Sequence, residues 1–109
     1  MMRKIKVVIA DDHPIVLVGV RGLMSRDPRF EVVAEATSPT QLITELTAHA
    51  PDVVLTDFNM PGDANYGDGL KLISYLVRQF PKTQIVVLTM ISSSLILSRL
   101  HQLGVVAVL

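Results

Sequence analysis

Short apolar blocks at regular spacing constrain this chain more than any other feature. They are Val7-Val8-Ile9-Ala10, Val53-Val54-Leu55, Ile85-Val86-Val87-Leu88 and Val105-Val106-Ala107-Val108-Leu109. Each is continuous and rich in β-branched residues rather than alternating. Strands covered on both faces, as in a parallel sheet, read this way. A further run, Phe30 to Ala36, is interrupted by Glu31 and Glu35, which suits an edge strand.

Helical periodicity fills the intervals. Pro14 to Arg26 opens with a proline suited to a first helical turn. Val16, Val20 and Leu23 are expected to face inward, with Gly19 allowing close approach to the sheet. On that phase Val18 points nearly opposite, and Ile15 and Leu17 sit on the flanks. Ser38-Pro39 starts a second helix with Leu42, Ile43 and Leu46 inward. Gly69 to Phe80 forms a third on Leu72, Ile73 and Leu76, and Ser92 to Leu103 a fourth that stops at Gly104. The alternation predicts an α/β fold, a doubly wound parallel sheet with right-handed crossovers and helices on both faces.

Composition narrows the function classes. The 109 residues are 50% apolar and 18% charged, too hydrophobic for disorder. Ten basic residues balance ten acidic ones, so the domain lacks the basic stripe that binds nucleic acid. Cysteine is absent, which excludes disulfides and thiol chemistry. The apolar runs fall far below the roughly 20 residues of a membrane helix. No signal-peptide apolar region follows the basic N-terminus, because Asp11 and Asp12 arrive too soon. A cytoplasmic domain without membrane attachment is the expectation.

In a doubly wound sheet, ligands bind beyond the carboxyl ends of the strands. Asp11 and Asp12 follow the first strand, Asp57 the third and Thr89 the fourth. Three carboxylates on one rim repel unless protonation or a cation relieves them, and Mg2+ suits such a site. The alternative is that each Asp is only a cap or turn residue. Asp63 and Asp68 read as solvated turn residues. No phosphate loop, GxGxxG, HExxH or GxSxG sequence occurs. His13, His49 and His101 are too scattered to suggest a metal cluster, and the last two read as surface or helix-end histidines.

Ile9-Ala10-Asp11-Asp12-His13-Pro14, Thr56-Asp57-Phe58-Asn59-Met60-Pro61-Gly62, Asp68-Gly69 and Val87-Leu88-Thr89, taken together, resemble a bacterial response-regulator receiver domain along the whole chain. The Asp-Asp-His-Pro start is similar to the NarL/FixJ subfamily. The long loop Met60 to Gly69 resembles the capsule-synthesis (Rcs) phosphorelay regulators. The resemblance implies a flavodoxin-like five-stranded sheet in the order 2-1-3-4-5. It implies one receiver domain over residues 1–109, which stops before the family's final helix and its C-terminal effector domain.

The resemblance also assigns roles. Asp57 would be the phosphoacceptor, taking its phosphoryl group from a histidine kinase or phosphotransfer protein. Asp12, Asp57 and the main-chain carbonyl of Asn59 would bind Mg2+, with Asp11 acting directly or through water. Thr89 would contact the phosphoryl group and shift with the fourth helix. DNA would be met only through the separate C-terminal domain. The apolar residues on the outer side of the first helix read either as scattered exposed residues or as a homodimer surface running from His13 and Pro14 along Ile15, Leu17 and Val18, a place where NarL/FixJ-like receivers form such a surface with their first and fifth helices.

Departures from the pattern weigh against parts of this. The family's phosphoryl-pairing lysine falls two positions past Leu109, Met90 replaces a small residue, and Val108 stands where an aromatic switch would be. They keep open a receiver-like domain that works without phosphorylation. An aspartate-nucleophile phosphohydrolase of the haloacid-dehalogenase kind is the enzymatic alternative. It needs an acid where this chain has Asn59.

Overall fold

The structure, a computed structural model, describes residues 3–61, 66–67, 69–88 and 94–108. In chain order the elements are β1 (Ile5–Ala10), α1 (Pro14–Ser25), β2 (Phe30–Ala36), α2 (Pro39–His49), β3 (Val53–Asp57), α3 (Gly69–Gln79), β4 (Gln84–Leu88), α4 (Ser94–Leu103) and β5 (Ala107–Val108). All strand pairings are parallel, in the order β2-β1-β3-β4-β5. Four strands run five to seven residues and β5 only two. The interrupted run Phe30 to Ala36 takes an edge, as its glutamates predict. No helix among the described residues is long and apolar enough to cross a membrane.

Alternation along each strand sends side chains to two separate cores. Val8, Ala10, Val54, Ile85 and Val87 point into the larger one. There they meet Leu42, Ile43 and Leu46 of α2, Leu72, Ile73 and Leu76 of α3, and Leu100 of α4, the expected stripes of α2 and α3. Val7 and Ile9 point the other way, onto Leu17, Val20 and Met24 of α1.

The phase of α1 differs from the sequence expectation. Leu17 is buried, whereas Leu23 is 65% exposed and Gly19 has open space where a Cβ would stand. Apolar residues surround this helix, so periodicity alone does not choose a face. Burial of Leu17, Val20 and Met24 against Val7 and Ile9 sets the rotation, and beside them Arg21 Nε donates to Glu35 Oε2 on β2 at 2.8 Å.

Helix ends follow local chemistry. The Ser38 hydroxyl caps α2 by accepting the Gln41 N–H at 3.2 Å. Helix α4 ends in a Schellman arrangement: the Gly104 N–H reaches the His101 carbonyl at 3.2 Å and the Val105 N–H the Leu100 carbonyl at 3.4 Å, with Gly104 at φ +99. This cap takes Val105 into the core, so the fifth strand begins at Ala107 rather than Val105. The predicted start of α4 at Ser92 lies outside the described residues.

Helix α2 stops less comfortably, on Ala50 at φ 43 and ψ 58, with its N–H bonded to the Leu46 carbonyl at 2.9 Å. A left-handed conformation costs an L-residue about 1 kcal/mol, and glycine avoids that cost. Ala50→Gly is therefore expected to stabilise the fold by up to about 1 kcal/mol, while Leu46→Ala costs about 2–5 kcal/mol. Urea unfolding checks both through midpoint shifts at constant m.

Candidate functional site

The functional edge is built by strand register. Ala10 pairs with Thr56 across β1 and β3, and Asp57 with Leu88 across β3 and β4. The Asp11 N–H donates to the Ala36 carbonyl at 3.0 Å, and the Phe58 N–H to the Leu88 carbonyl at 2.9 Å. The chain therefore leaves β1 and β3 at the same level of the sheet.

Each strand then turns on its own aspartate. Asp11 Oδ1 accepts the His13 N–H at 2.8 Å, and Asp57 Oδ1 accepts the Asn59 N–H at 3.1 Å. Both are Asx turns, in which a short carboxylate bonds the backbone two residues on. After β3, Phe58 and Met60 are buried in the larger core while Asn59 is exposed. That alternation anchors the loop and leaves Asp57 at the rim.

One ligand atom from each of Asp11, Asp12, His13 and Asp57 lies within 4.8 Å of the others. The three carboxylates singled out in the sequence are thus brought together. Thr89, Met90, Asp63 and Asp68 lie outside the described residues. A cleft of about 520 Å³ lined by Arg3, Lys4, Phe30 and Lys82 sits at the amino edge of the sheet, away from these acids.

His13 is the member that sequence reasoning missed. Scatter among the three histidines counted against a cluster, yet His13 joins the aspartates without the others. Its extended backbone, φ −104 and ψ 108, precedes a helix that Pro14 starts, and its ring folds back over the turn. His13 Nδ1 stands 3.0 Å from Asp11 Oδ1 and 3.1 Å from Asp12 Oδ1. The signal was the direct adjacency of His13 to two acids at a strand end.

The electrostatics reflect crowding. Burial pushes the Asp57 carboxyl above the usual carboxylate range; the Asn59 N–H opposes this, and Asp11 and Asp12 push it further up. The bond to Asp11, followed by the charge of Asp12, raises the His13 imidazole above 6.5. Asp12 Oδ1 is buried and accepts no hydrogen bond among the described residues; His13 offers it proximity rather than an aligned donor. Crowded carboxylates with an unsatisfied buried oxygen are the donor set that a hard divalent cation takes.

A sign follows for pH. A histidine whose folded pKa is raised contributes stability that is complete below its unfolded value near 6.5 and is lost as pH rises through the folded value. In an NMR titration without added divalent ions, the His13 ring is expected to titrate above 6.5, and Asp11→Asn to bring it down toward that value.

The comparisons with known proteins agree with this geometry. The family model described as response regulator receiver domain matches residues 7–109. Transcriptional regulatory protein RcsB of Escherichia coli is 44% identical over 104 residues, covering 95% of this chain and 48% of the relative. Transcriptional regulatory protein YhcZ of Bacillus subtilis is 39% identical over 84 residues, covering 77% of this chain and 37% of the relative. The isolated REC domain of RcsB from Salmonella enterica serovar Typhimurium, solved with the phosphomimetic BeF3-, superposes with a TM-score of 0.93 at 42% identity over 98% of this chain and 77% of that one. RcsB from the same organism bound to promoter rprA gives 0.92 at 42% identity over 98% of this chain and 59% of that one. The chain spans about half the length of the RcsB relatives it matches. A parallel sheet that delivers Asp11, Asp12 and Asp57 to one rim, together with these likenesses, places the chain in the response regulator receiver domain family.

Proposed function

We propose that this domain is a phosphorylation-dependent switch of a two-component or phosphorelay system, with Asp57 as the phosphoacceptor. The observation that carries the reading is Asp57 at the end of β3, within a tight group of Asp11, Asp12 and His13. A histidine kinase or phosphotransfer protein supplies the phosphoryl group. A carboxylate oxygen of Asp57 forms the new O–P bond as the P–N bond to the donor imidazole breaks, and the imidazole keeps the electron pair.

Asp12, Asp57 and the Asn59 carbonyl would hold Mg2+, with Asp11 acting directly or through water. The buried, unsatisfied Asp12 Oδ1 supports this assignment. When bound there, Mg2+ would supply positive charge that screens the carboxylate from an anionic phosphoryl group. Thr89 contacts the phosphoryl group and relays its presence to α4. The likeness to RcsB bound to a promoter supports a C-terminal DNA-binding domain as the output and the cytoplasm as its location.

Self-association through α1 completes the reading, with one correction. Leu17 is buried and leaves the proposed surface. His13, Pro14, Ile15 and Val18 remain on it, and Ile15 is 79% and Val18 67% exposed. Leu23 and the open Gly19 and Gly22 extend the same apolar side. A two-fold axis would set two such patches face to face.

In the full-length protein, a small phosphodonor with Mg2+ is expected to add one acid-labile phosphoryl group, and Asp57→Ala to abolish it. Intact-mass spectrometry reads the result, and undiminished labelling of the variant would overturn the assignment. Val18→Asp is expected to weaken dimerisation at least about tenfold while Asp57 labelling persists, since a central interface charge costs more than about 1.4 kcal/mol. Sedimentation that shows wild-type association would exclude this surface.

A further inference from the structure

The long loop from Met60 to Gly69 has no task in the phosphoacceptor reading, on which the following inference rests. At the start of the loop, Phe58 and Met60 are buried in the larger core, and the Phe58 N–H donates to the Leu88 carbonyl at 2.9 Å. Phe58 directly follows Asp57. Whatever fixes the Phe58 ring therefore also fixes the strand end that carries the carboxylate.

The residues described at the other end of the loop lie on α3. The Tyr66 ring meets the Tyr75 ring of α3 with centroids 5.1 Å apart and planes tilted by 55°. Aromatic rings attract one another in tilted arrangements at about 4.5–7 Å. Both rings are half-buried and pack against the larger core. Gly67 follows at φ +70, and a Cβ there would stand 2.9 Å from Cδ of Lys71, in the first turn of α3. Without a side chain, Gly67 lets the loop lie along the Lys71 stem.

Gly69 then brings the chain onto Phe58. It stands at φ +54, and a Cβ there would lie 3.5 Å from Phe58 Cζ. The start of α3 thus rests against the far end of the Phe58 ring. Contacts run in order from Tyr66 on Tyr75, through Gly67 on Lys71, to Gly69 on Phe58. The glycines supply room, and the tyrosine pair supplies the apolar area that offsets the entropy of ordering a long loop. We infer that Tyr66 is a positioning residue for phosphoryl transfer: seated on Tyr75, it holds this strap against Phe58 and keeps Asp57 in line for attack. It acts through Phe58 and not on the phosphoryl group. A displacement of about 1 Å at an attacking atom costs up to about 100-fold in rate.

Timed labelling of the full-length protein with a small phosphodonor and Mg2+, read by intact-mass spectrometry, tests this. Tyr66→Ala is expected to slow labelling at saturating phosphodonor at least about fivefold and to leave the half-saturating concentration within about twofold. Tyr66→Phe keeps the ring and should label at the wild-type rate. Tyr75→Ala should slow labelling as Tyr66→Ala does, and the double variant no further, because the two rings act as a unit. Circular dichroism checks that each variant is folded; should Tyr66→Ala not fold, Tyr66→Leu takes its place with the same expectation. A wild-type rate in Tyr66→Ala overturns the proposal. So do additive losses in the double variant, or a Tyr66→Phe protein as slow as Tyr66→Ala. A wild-type protein that takes no label overturns the phosphoacceptor reading and this inference with it; one that labels no faster than Tyr66→Ala leaves that reading standing and removes only the role of Tyr66.

Discussion

Parallel register between β1 and β3 is the constraint on which the acidic rim depends. Asp52, at the opposite end of the sheet, fixes it. The Asp52 carboxylate accepts the Lys6 N–H at 2.8 Å and the Arg3 guanidinium at 2.6 Å. Its own N–H donates to the Lys6 carbonyl, and its carbonyl accepts the Gln84 N–H, both at 2.9 Å. One residue therefore sets β1, β3 and β4 in phase. The Lys6 N–H, and after it the Arg3 charge, keeps the Asp52 carboxyl below the usual carboxylate range. A slip of one residue would turn Val54 and Thr56 out of the larger core and carry Asp57 to the other face. The chemistry at one edge thus rests on a polar clamp at the other.

The rim itself is electrostatically unfavourable, and the fold supports it from below. Burial and the neighbouring acids raise the Asp57 carboxyl, while the Asx turns at Asp11 and Asp57 commit one oxygen of each to the backbone. Apolar anchors on either side keep the arrangement from relaxing. Val8, Ala10, Phe58 and Met60 are buried immediately beside the acids. Local conflict over a consistent core is the pattern of a functional site, where the stability that binding restores has been given up in the free state.

The apolar side of α1 shows how little a single helix says about its own orientation. Ile15, Val16, Leu17, Val18, Val20, Leu23 and Met24 leave only the narrow strip of Arg21 and Ser25 polar, too little to choose the buried face. Burying Leu17 leaves Ile15, Val18 and Leu23 in solvent. Helix α3, by contrast, carries Lys71, Arg78 and Gln79 outside a narrow apolar stripe, and its buried face follows from spacing alone.

The sequence by itself determined the order of elements, the edge position of β2, the buried stripes of α2 and α3, the helix limits at Ser38 and Gly104, and the aspartates at the strand ends. These are local or periodic signals, carried by β-branching, capping hydroxyls and the φ preference of glycine. Only the tertiary structure decided the rotation of α1, the late start of β5 and the place of His13. Rotation of α1 follows the packing of Leu17, Val20 and Met24 onto Val7 and Ile9 of a separate strand. The start of β5 follows from a helix cap that claims Val105 for the core. The place of His13 follows from the turn after β1, which brings its Nδ1 to 3.0 Å from Asp11 Oδ1 and 3.1 Å from Asp12 Oδ1. Each is a contact between separate segments or a single dihedral choice, and neither leaves a repeating trace in the order of the amino acids.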